Sequence, residues 1–208
     1  MTLAETETTV REGFARDVIM GRTADILADI HAPGISAAIW TRSPDADFQR
    51  WVDGLPIRSL PKMKAVIPVG RVEAAVSATC EMAGLPESRE RIMLAGDAGA
   101  LALILGRLLN VSRVQIRLDV ASGVMCPKFH TDAVPARLLC SYRGPGSEYV
   151  PAGQESDLRR VRRLRTGAAA IFRGTRWPGA ERTELLHRSP PPDQADSTRL
   201  LLVIDPVD

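Results

Sequence analysis

The second half of the chain contains short apolar runs separated by turn residues, with no helix-length pattern between them. Residues 114–120 alternate apolar and polar side chains with a period of two, which is typical of a half-buried strand. Four more runs have strand-like composition and end near Gly or Pro turns: 136–142, 168–172, 184–187 and 199–205. Several short strands without intervening helices indicate a sandwich or barrel rather than a parallel α/β sheet.

The first half of the chain has mostly helical patterns. Apolar spacing and turn residues predict one short strand over 35–40 and four helices, over 11–30, 45–55, 72–82 and 89–109. We therefore expect an α+β protein with a mainly helical region over 1–110. A β-rich core over 111–208 follows it, and the two parts form one compact unit.

Composition narrows the class of protein. The 208 residues are 45% hydrophobic and 25% charged, which suits a globular domain, and the net charge of +2 does not indicate a polyanion partner. The three cysteines are widely spaced and do not indicate a disulfide framework. The polar first ten residues lack an apolar signal core, and no uninterrupted apolar run reaches the roughly 18 residues of a membrane span. We expect a cytoplasmic protein that does not contact the membrane.

The clearest indication of chemistry is His130-Thr131-Asp132, followed by His187. In a strand, side chains at i and i+2 project from the same face, so His130 and Asp132 would point to one place. His187 ends another predicted strand of the same small barrel. Two histidines and one carboxylate form the facial ligand set of non-haem Fe(II), which leaves coordination positions open. A surface histidine beside a solvated aspartate is the alternative interpretation of His130 and Asp132 alone.

In this part of the sequence the chain resembles the double-stranded β-helix oxygenases, the superfamily that depends on Fe(II) and 2-oxoglutarate. The resemblance covers about 114–205. It depends on three segments that occur in the family's order: His130-Thr131-Asp132, Gly167-Ala168-Ala169-Ala170-Ile171-Phe172-Arg173-Gly174, and Leu186-His187-Arg188-Ser189-Pro190 with the strand that begins at Arg199. The second segment is similar to the family's Gly-x-x-x-x-Phe-x-Gly strand.

The resemblance implies a double-stranded β-helix, or jelly-roll, core on which the helical half packs. It also implies that His130, Asp132 and His187 bind Fe(II). Arg199, 12 positions after His187, would bind the far carboxylate of 2-oxoglutarate as cosubstrate, a contact that suits a planar guanidinium. The implied activity is hydroxylation of a small-molecule substrate.

The cosubstrate site departs from the family pattern at one position. The family often has Ser or Thr two positions after the arginine, and this chain has Leu201. We expect Tyr142 or Ser141, on a neighbouring predicted strand, to supply the missing hydroxyl.

The whole chain also resembles an uncharacterised bacterial family with the patterns Cys-x-Lys-Phe-His-x-Asp, Tyr-Arg-Gly-Pro-Gly and His-Arg-Ser-Pro-Pro. That resemblance implies a link to zinc homeostasis. The alternative function is therefore a non-catalytic zinc-binding protein in which Cys126 joins the three ligands in a tetrahedral site. A metal-dependent cupin-like hydrolase or isomerase is a third hypothesis.

Arginines form the remaining pattern. The run Arg159-Arg160-Val161-Arg162-Arg163-Leu164-Arg165 is either a contact for an anion or a solvated segment, and the 4% aromatic content argues against nucleic-acid binding. Four further arginines could surround the barrel mouth and favour an anionic substrate, although solvated surface explains them equally well: Arg137, Arg143, Arg173 and Arg188.

Overall fold

Three α-helices, three 3-10 helices and twelve strands form the part of the protein that the computed structural model describes, residues 13–122, 126–191 and 198–207. The α-helices are α1 (Ala46–Gly54), α2 (Val72–Met82) and α3 (Arg89–Leu109). The 3-10 helices are Ala24–His31, Ile57–Ser59 and Val69–Arg71. The strands are β1 (Phe14–Ala15), β2 (Asp17–Gly21), β3 (Ile35–Trp40), β4 (Met63–Pro68), β5 (Arg113–Ala121), β6 (Ala136–Arg143), β7 (Glu148–Pro151), β8 (Arg162–Arg163), β9 (Ala169–Arg173), β10 (Arg182–Thr183), β11 (Leu185–Arg188) and β12 (Arg199–Val207).

A seven-stranded sheet dominates the fold, with the strand order β2-β3-β9-β6-β12-β5-β4. All neighbours in it are antiparallel except β2 and β3. A three-stranded antiparallel sheet has the order β11-β7-β8, and β1 pairs with β10. The mixed α and β composition predicted from the sequence is confirmed.

The large sheet has two apolar faces, because side chains alternate along each strand. Leu200, Leu202 and Ile204 of β12 belong to the larger hydrophobic cluster, which includes the helices. Leu201 and Val203 of β12 belong to the other cluster, with residues of the small sheet. The large sheet therefore separates the space between the two sheets from the helical side.

The helix α3 is long and apolar enough to cross a membrane by length and composition alone, with a mean hydropathy of 1.8. It packs on α2 and on the large sheet, and its buried side includes Leu94, Leu101 and Leu105. A buried helix of a globular core has the same composition. Its N-terminus is capped by Ser88, and Asn110 ends it in the left-handed conformation.

Most predicted elements are present with nearly the predicted bounds, including α2, α3 and β3. The helix predicted over 11–30 is wrong over its described part, 13–30, where β1, β2 and a 3-10 helix occur. Val18 and Ile19 pair with β3 in a parallel register, a long-range contact that local apolar spacing does not reveal. The strands β4, β7, β8 and β10 were not predicted.

The first 110 residues contribute β2, β3 and β4 to the same sheet as the later strands. The division into a helical region over 1–110 and a metal-binding core over 111–208 stays a prediction.

Candidate metal centre

The fold brings the three predicted metal ligands together. His130 and His187 are paired as an isolated antiparallel bridge, with backbone N–H to O=C distances of 3.0 and 2.9 Å. Their ring centroids are 4.8 Å apart. Asp132 Oδ1 lies 3.5 Å from His130 Nε2, and Asp132 Oδ2 lies 3.0 Å from His187 Nε2. Across the described residues, these three are the group whose donor atoms all lie within 4.8 Å of one another.

The hydrogen bonds around these residues leave electron pairs available for a cation. His130 Nδ1 lies 2.9 Å from the Lys128 carbonyl oxygen. A carbonyl can only accept, so Nδ1 carries the proton and Nε2 keeps its lone pair. His187 is buried, and its ring contacts Phe172 with centroids 5.1 Å apart.

Asp132 provides the test of whether a metal fits. Its Oδ2 atom is buried and accepts no hydrogen bond from the described residues, although His187 Nε2 is within 3.0 Å. A buried carboxylate oxygen without a partner is unfavourable. Two atoms that bind the same metal ion lie close together without a hydrogen bond between them, and Asp132 Oδ2 and His187 Nε2 have this arrangement. The donor set of two imidazoles and a carboxylate therefore fits a divalent transition metal such as Fe(II).

A buried ion-pair network fixes the carboxylate. Asp132 Oδ1 accepts a short hydrogen bond from Arg137 Nη1, while Arg137 Nε and Nη2 donate to the two oxygens of Asp205 at 2.6 and 2.7 Å. Burial alone would raise the pKa of Asp132. The contact with His187 and the charge of Arg137 outweigh it and hold that pKa below its usual value. Asp132 is thus ionised at neutral pH, with one oxygen occupied and the other free.

Gly174 lets the segment of Asp132 approach β9. The backbone N–H groups of Gly174 and Thr175 donate to the carbonyls of Pro135 and Asp132 at 2.8 and 2.9 Å. A Cβ at position 174 would overlap the Val134 carbonyl oxygen and lie 2.7 Å from that of Asp132. The final glycine of the Gly-x-x-x-x-Phe-x-Gly strand thus has a steric role, and its Phe172 packs on His187.

The three candidate ligands line a cavity of about 190 Å³ between the sheets. Charged walls are provided by Arg117, Asp119, Arg137 and Arg188, and apolar walls by Leu139, Leu201 and Val203. Arg117 Nε is buried without a hydrogen-bond partner among the described residues. The cavity thus combines a candidate cation site with cationic and apolar surface.

Arg199 lies behind this cavity. Arg199 is 3% exposed, and among the described residues its guanidinium donates to serine hydroxyls alone, at 3.3 Å to Ser141 and 3.4 Å to Ser147 and Ser189. Ser147 and Ser189 also line the metal cavity. These distances exceed the roughly 2.7–2.9 Å of charged hydrogen bonds to carboxylates. Its Nε is buried without a partner among the described residues.

Burial, and then the charge of Arg163, lower the pKa of Arg199 to about 10. The guanidinium is therefore charged at neutral pH but poorly stabilised where it lies. A bound anion would remove this deficit, so the surroundings of Arg199 suit a carboxylate.

Tyr142, predicted to supply a hydroxyl beside Arg199, is on the opposite face of β6. Its ring packs in the helix-side cluster, and its hydroxyl donates to Asp97 at 2.8 Å. Burial, followed by the charge of Asp97, raises the pKa of Tyr142 well above its usual value. Ser141 faces the same side of β6 as Leu139, which lines the cavity. Ser141, and not Tyr142, therefore contacts Arg199.

Of the other residues predicted to belong to the site, some line the cavity and some do not. Cys126 is exposed and lines the cavity, but it does not belong to the three-residue ligand group found among the described residues. Arg143 donates to the carbonyls of Val52 and Leu55, and Arg173 to those of Ile30 and Ala32, so neither surrounds the cavity. Arg137 and Arg188 do line it.

Sequence reasoning missed Asp205 as a partner of Arg137. Both residues lie on the cavity-facing positions of neighbouring strands, since β6 pairs with β12 through Leu138 and Ile204. The alternation of side chains along each predicted strand could have shown which residues face the same side. The sequence did not show the register that places Arg137 next to Asp205.

The chain belongs to the DUF1826 family, described as a protein of unknown function, whose model matches residues 21–205. No curated protein matches the sequence. The structure is similar to dioxygenase for auxin oxidation 1 from Arabidopsis thaliana in its binary complex with 2-oxoglutarate, with a TM-score of 0.50, 12% identity and coverage of 91% of each chain. It is also similar to the dioxygenase for auxin oxidation in rice, with a TM-score of 0.50, 14% identity and coverage of 93% of this chain and 83% of that chain. At these identities the similarity shows a shared fold.

Proposed function

We propose that this protein is a non-haem Fe(II)-dependent dioxygenase that uses 2-oxoglutarate as cosubstrate and hydroxylates a small molecule. The observation that carries the proposal is the combination of two side-chain groups in one place. His130, Asp132 and His187 converge with a free carboxylate oxygen, and Arg199 lies behind the same cavity without a carboxylate partner.

The strand order supports a double-stranded β-helix. From β5 to β12 along the chain, eight segments belong to the two sheets: β5, the His130 segment, β6, β7, β8, β9, β11 and β12. The two-residue strand β10 lies between β9 and β11 but pairs with β1 instead. Four of the eight segments form the adjacent strands β9-β6-β12-β5 of the large sheet, and the His130 segment joins the edge of β11-β7-β8. Eight strands divided between two facing sheets are typical of a jelly roll.

Iron, when bound, would supply the activation of oxygen that oxidises a substrate C–H bond. His130 would present Nε2 because the Lys128 carbonyl holds the proton on Nδ1. Asp132 would present Oδ2, because Arg137 occupies Oδ1. Apolar side chains on this side of the cavity would exclude water from it: Leu139, Leu201 and Val203.

For the cosubstrate, Arg199 would bind the distal carboxylate of 2-oxoglutarate, and Ser141, Ser147 and Ser189 would supply hydroxyl donors. Three serines from neighbouring segments would then replace the single hydroxyl that is absent at Leu201. A charged guanidinium and neutral hydroxyls around one carboxylate favour its ionised form.

Anaerobic reconstitution with Fe(II) followed by titration with 2-oxoglutarate tests this proposal. We expect a weak visible charge-transfer band that is absent in His130→Ala and in Arg199→Ala. His31→Ala is the matched control, because His31 contacts the Leu108 carbonyl and does not belong to the ligand group. The absence of the band in the wild-type protein loaded with Fe(II) would refute the use of 2-oxoglutarate.

The alternative proposal is a non-catalytic zinc site that includes Cys126, and its support is that Cys126 lines the cavity. Cys126→Ser separates the two proposals. We expect the variant to keep its metal and the visible band with Fe(II) and 2-oxoglutarate. Loss of zinc and iron binding together in this variant would favour zinc handling instead.

We infer that the substrate is anionic, because Arg117 lies on the cavity wall and its buried Nε has no hydrogen-bond partner among the described residues. Arg188 also lines the cavity but is paired with Glu148. A cytoplasmic location, the absence of membrane and nucleic-acid partners, and a role in zinc homeostasis stay predictions.

A further inference from the structure

The arginine-rich run of the sequence borders a second cavity, of about 690 Å³. This cavity lies between β8, at the edge of the small sheet, and the β2–β3 end of the large sheet, with Met20 and Ile39 on one side and Tyr149 and Leu164 on the other. No described residue lines both this cavity and the metal cavity. The volume is in the range of small-molecule sites.

The charge of this second cavity has one sign. Four arginines line it, and none of its described lining residues is acidic. Arg42 is paired with Asp97 at 2.7 Å and Arg163 with Glu148 at 2.9 Å, and Glu148 is shared with Arg188. The other two, which we call the rim arginines, are both exposed and make no ion pair with a described residue: Arg22 and Arg165.

The floor of the cavity is apolar. Ile39, Tyr149, Leu164 and Ala168 are buried members of the hydrophobic cluster between the sheets. A concave site with an apolar floor and a few charged groups at its rim is typical of small-molecule binding. Like charges around a concavity focus the electrostatic potential and attract an anion.

We propose that this cavity binds a small phosphate-bearing molecule with an aromatic or apolar body. The body rests on Tyr149 and Leu164, and the rim arginines bind the phosphate. A phosphate group offers three acceptor oxygens and nearly two negative charges, so it can engage more than one guanidinium. Tyr149 is the one aromatic side chain among the described lining residues, which favours a single small molecule over a nucleic-acid strand that needs successive stacking platforms.

Calorimetric titration of the full chain with phenyl phosphate tests the proposal. We expect saturable binding of one equivalent, with inorganic phosphate binding more weakly because it lacks the ring. The double variant R22Q/R165Q should weaken binding of phenyl phosphate by about 10-fold or more, the effect of losing a charged hydrogen bond. The matched control R58Q/R71Q removes the same charge from two exposed arginines that do not line the cavity, and it should bind like the wild type.

Two further measurements exclude other sites and other ligands. His130→Ala removes a proposed metal ligand and should keep phenyl phosphate binding, whereas loss in this variant would place the ligand at the metal and overturn the proposal. Equal weakening in R22Q/R165Q and R58Q/R71Q would also overturn it, because it would show a nonspecific charge effect. Tighter binding of a thymidine oligonucleotide than of phenyl phosphate, lost in R22Q/R165Q, would replace the small molecule with a nucleic acid.

Discussion

The pair Arg137 and Asp205 should control metal affinity without touching the metal. Arg137 occupies Asp132 Oδ1 and is itself held at 2.6 and 2.7 Å by the two oxygens of Asp205. Asp132 therefore has one orientation, with Oδ2 directed toward His187. The change that tests this role is the double variant R137Q/D205N.

The double variant is needed because a single change would mix two effects of opposite sign. Arg137→Gln alone removes a positive charge near the site, which would strengthen cation binding, since unit charges about 4 Å apart interact by about 4 kcal/mol at an effective dielectric constant of about 20. It would also leave Asp205, which is 3% exposed, as an unpaired buried charge, at a cost of about 3–5 kcal/mol. Removing one charge of each sign leaves mainly the loss of orientation. Losing such an outer partner of a ligand typically lowers metal affinity about 10- to 100-fold. We expect the lower value, about 10-fold, because Arg137 is nearer the site than Asp205. Removing its positive charge therefore still favours the cation and offsets part of the loss.

Calorimetric titration with Co(II), combined with its visible absorption spectrum, measures both affinity and ligand geometry. Arg143→Gln is the matched control, since it removes another β6 arginine that contacts backbone carbonyls and not Asp132. Thermal unfolding shows whether each variant is folded. An R137Q/D205N protein that is folded and binds Co(II) as tightly as the wild type, with the same spectrum, would refute the positioning role.

Three further predictions concern the backbone, the cosubstrate and the helix-side face. Gly174→Ala should abolish Co(II) binding, because its Cβ would displace the Asp132 segment, whereas Gly96→Ala, with open space around its Cβ, should bind normally in the same titration. Ser141→Ala should weaken 2-oxoglutarate binding in the charge-transfer titration, and unchanged affinity would remove Ser141 from the proposed site. Tyr142→Phe should leave that affinity unchanged and lower the free energy of unfolding by about 1 kcal/mol in urea, the typical value of a lost hydrogen bond.

The sequence predicted the elements whose pattern is local. The helices α2 and α3 each have an apolar side, α2 is followed by the Gly84 turn, and Ser88 caps α3. Apolar and polar residues alternate along 113–120 of β5, so the bounds of these elements follow from local signals. Burial also alternates along β4, but its sequence contains three consecutive apolar residues at 65–67, so the alternation is not visible from residue type. By contrast, β7 and β8 have four and two residues, too few for a periodic pattern, and β2 depends on a parallel partner far along the chain.

The candidate metal ligands were predictable from the His-x-Asp spacing, although the structure forms an isolated bridge at His130 and not the predicted strand through Asp132. The environment of Arg199 could not be predicted from the sequence, because it depends on the register of β6 against β12. Adjacent residues of a strand face opposite sides, so Ser141 and Tyr142 cannot both reach one site. The position of Arg199 along β12 determines which side of the sheet its side chain faces. Which β6 residue faces the same side next to it depends on how β6 pairs with β12.

The arginines of this fold can be separated by what neutralises them. A buried guanidinium needs a counter-charge or several good acceptors. Arg173 has Glu181 and backbone carbonyls, and Arg137 has two carboxylates. Arg199 is as buried as Arg173, at 3% exposure, yet its partners among the described residues are neutral hydroxyls at long distance. The deficit at Arg199 is a missing negative charge next to Ser147 and Ser189, which line the metal cavity. The proposed 2-oxo dicarboxylate would remove this deficit with its distal carboxylate while its other end reaches the proposed metal.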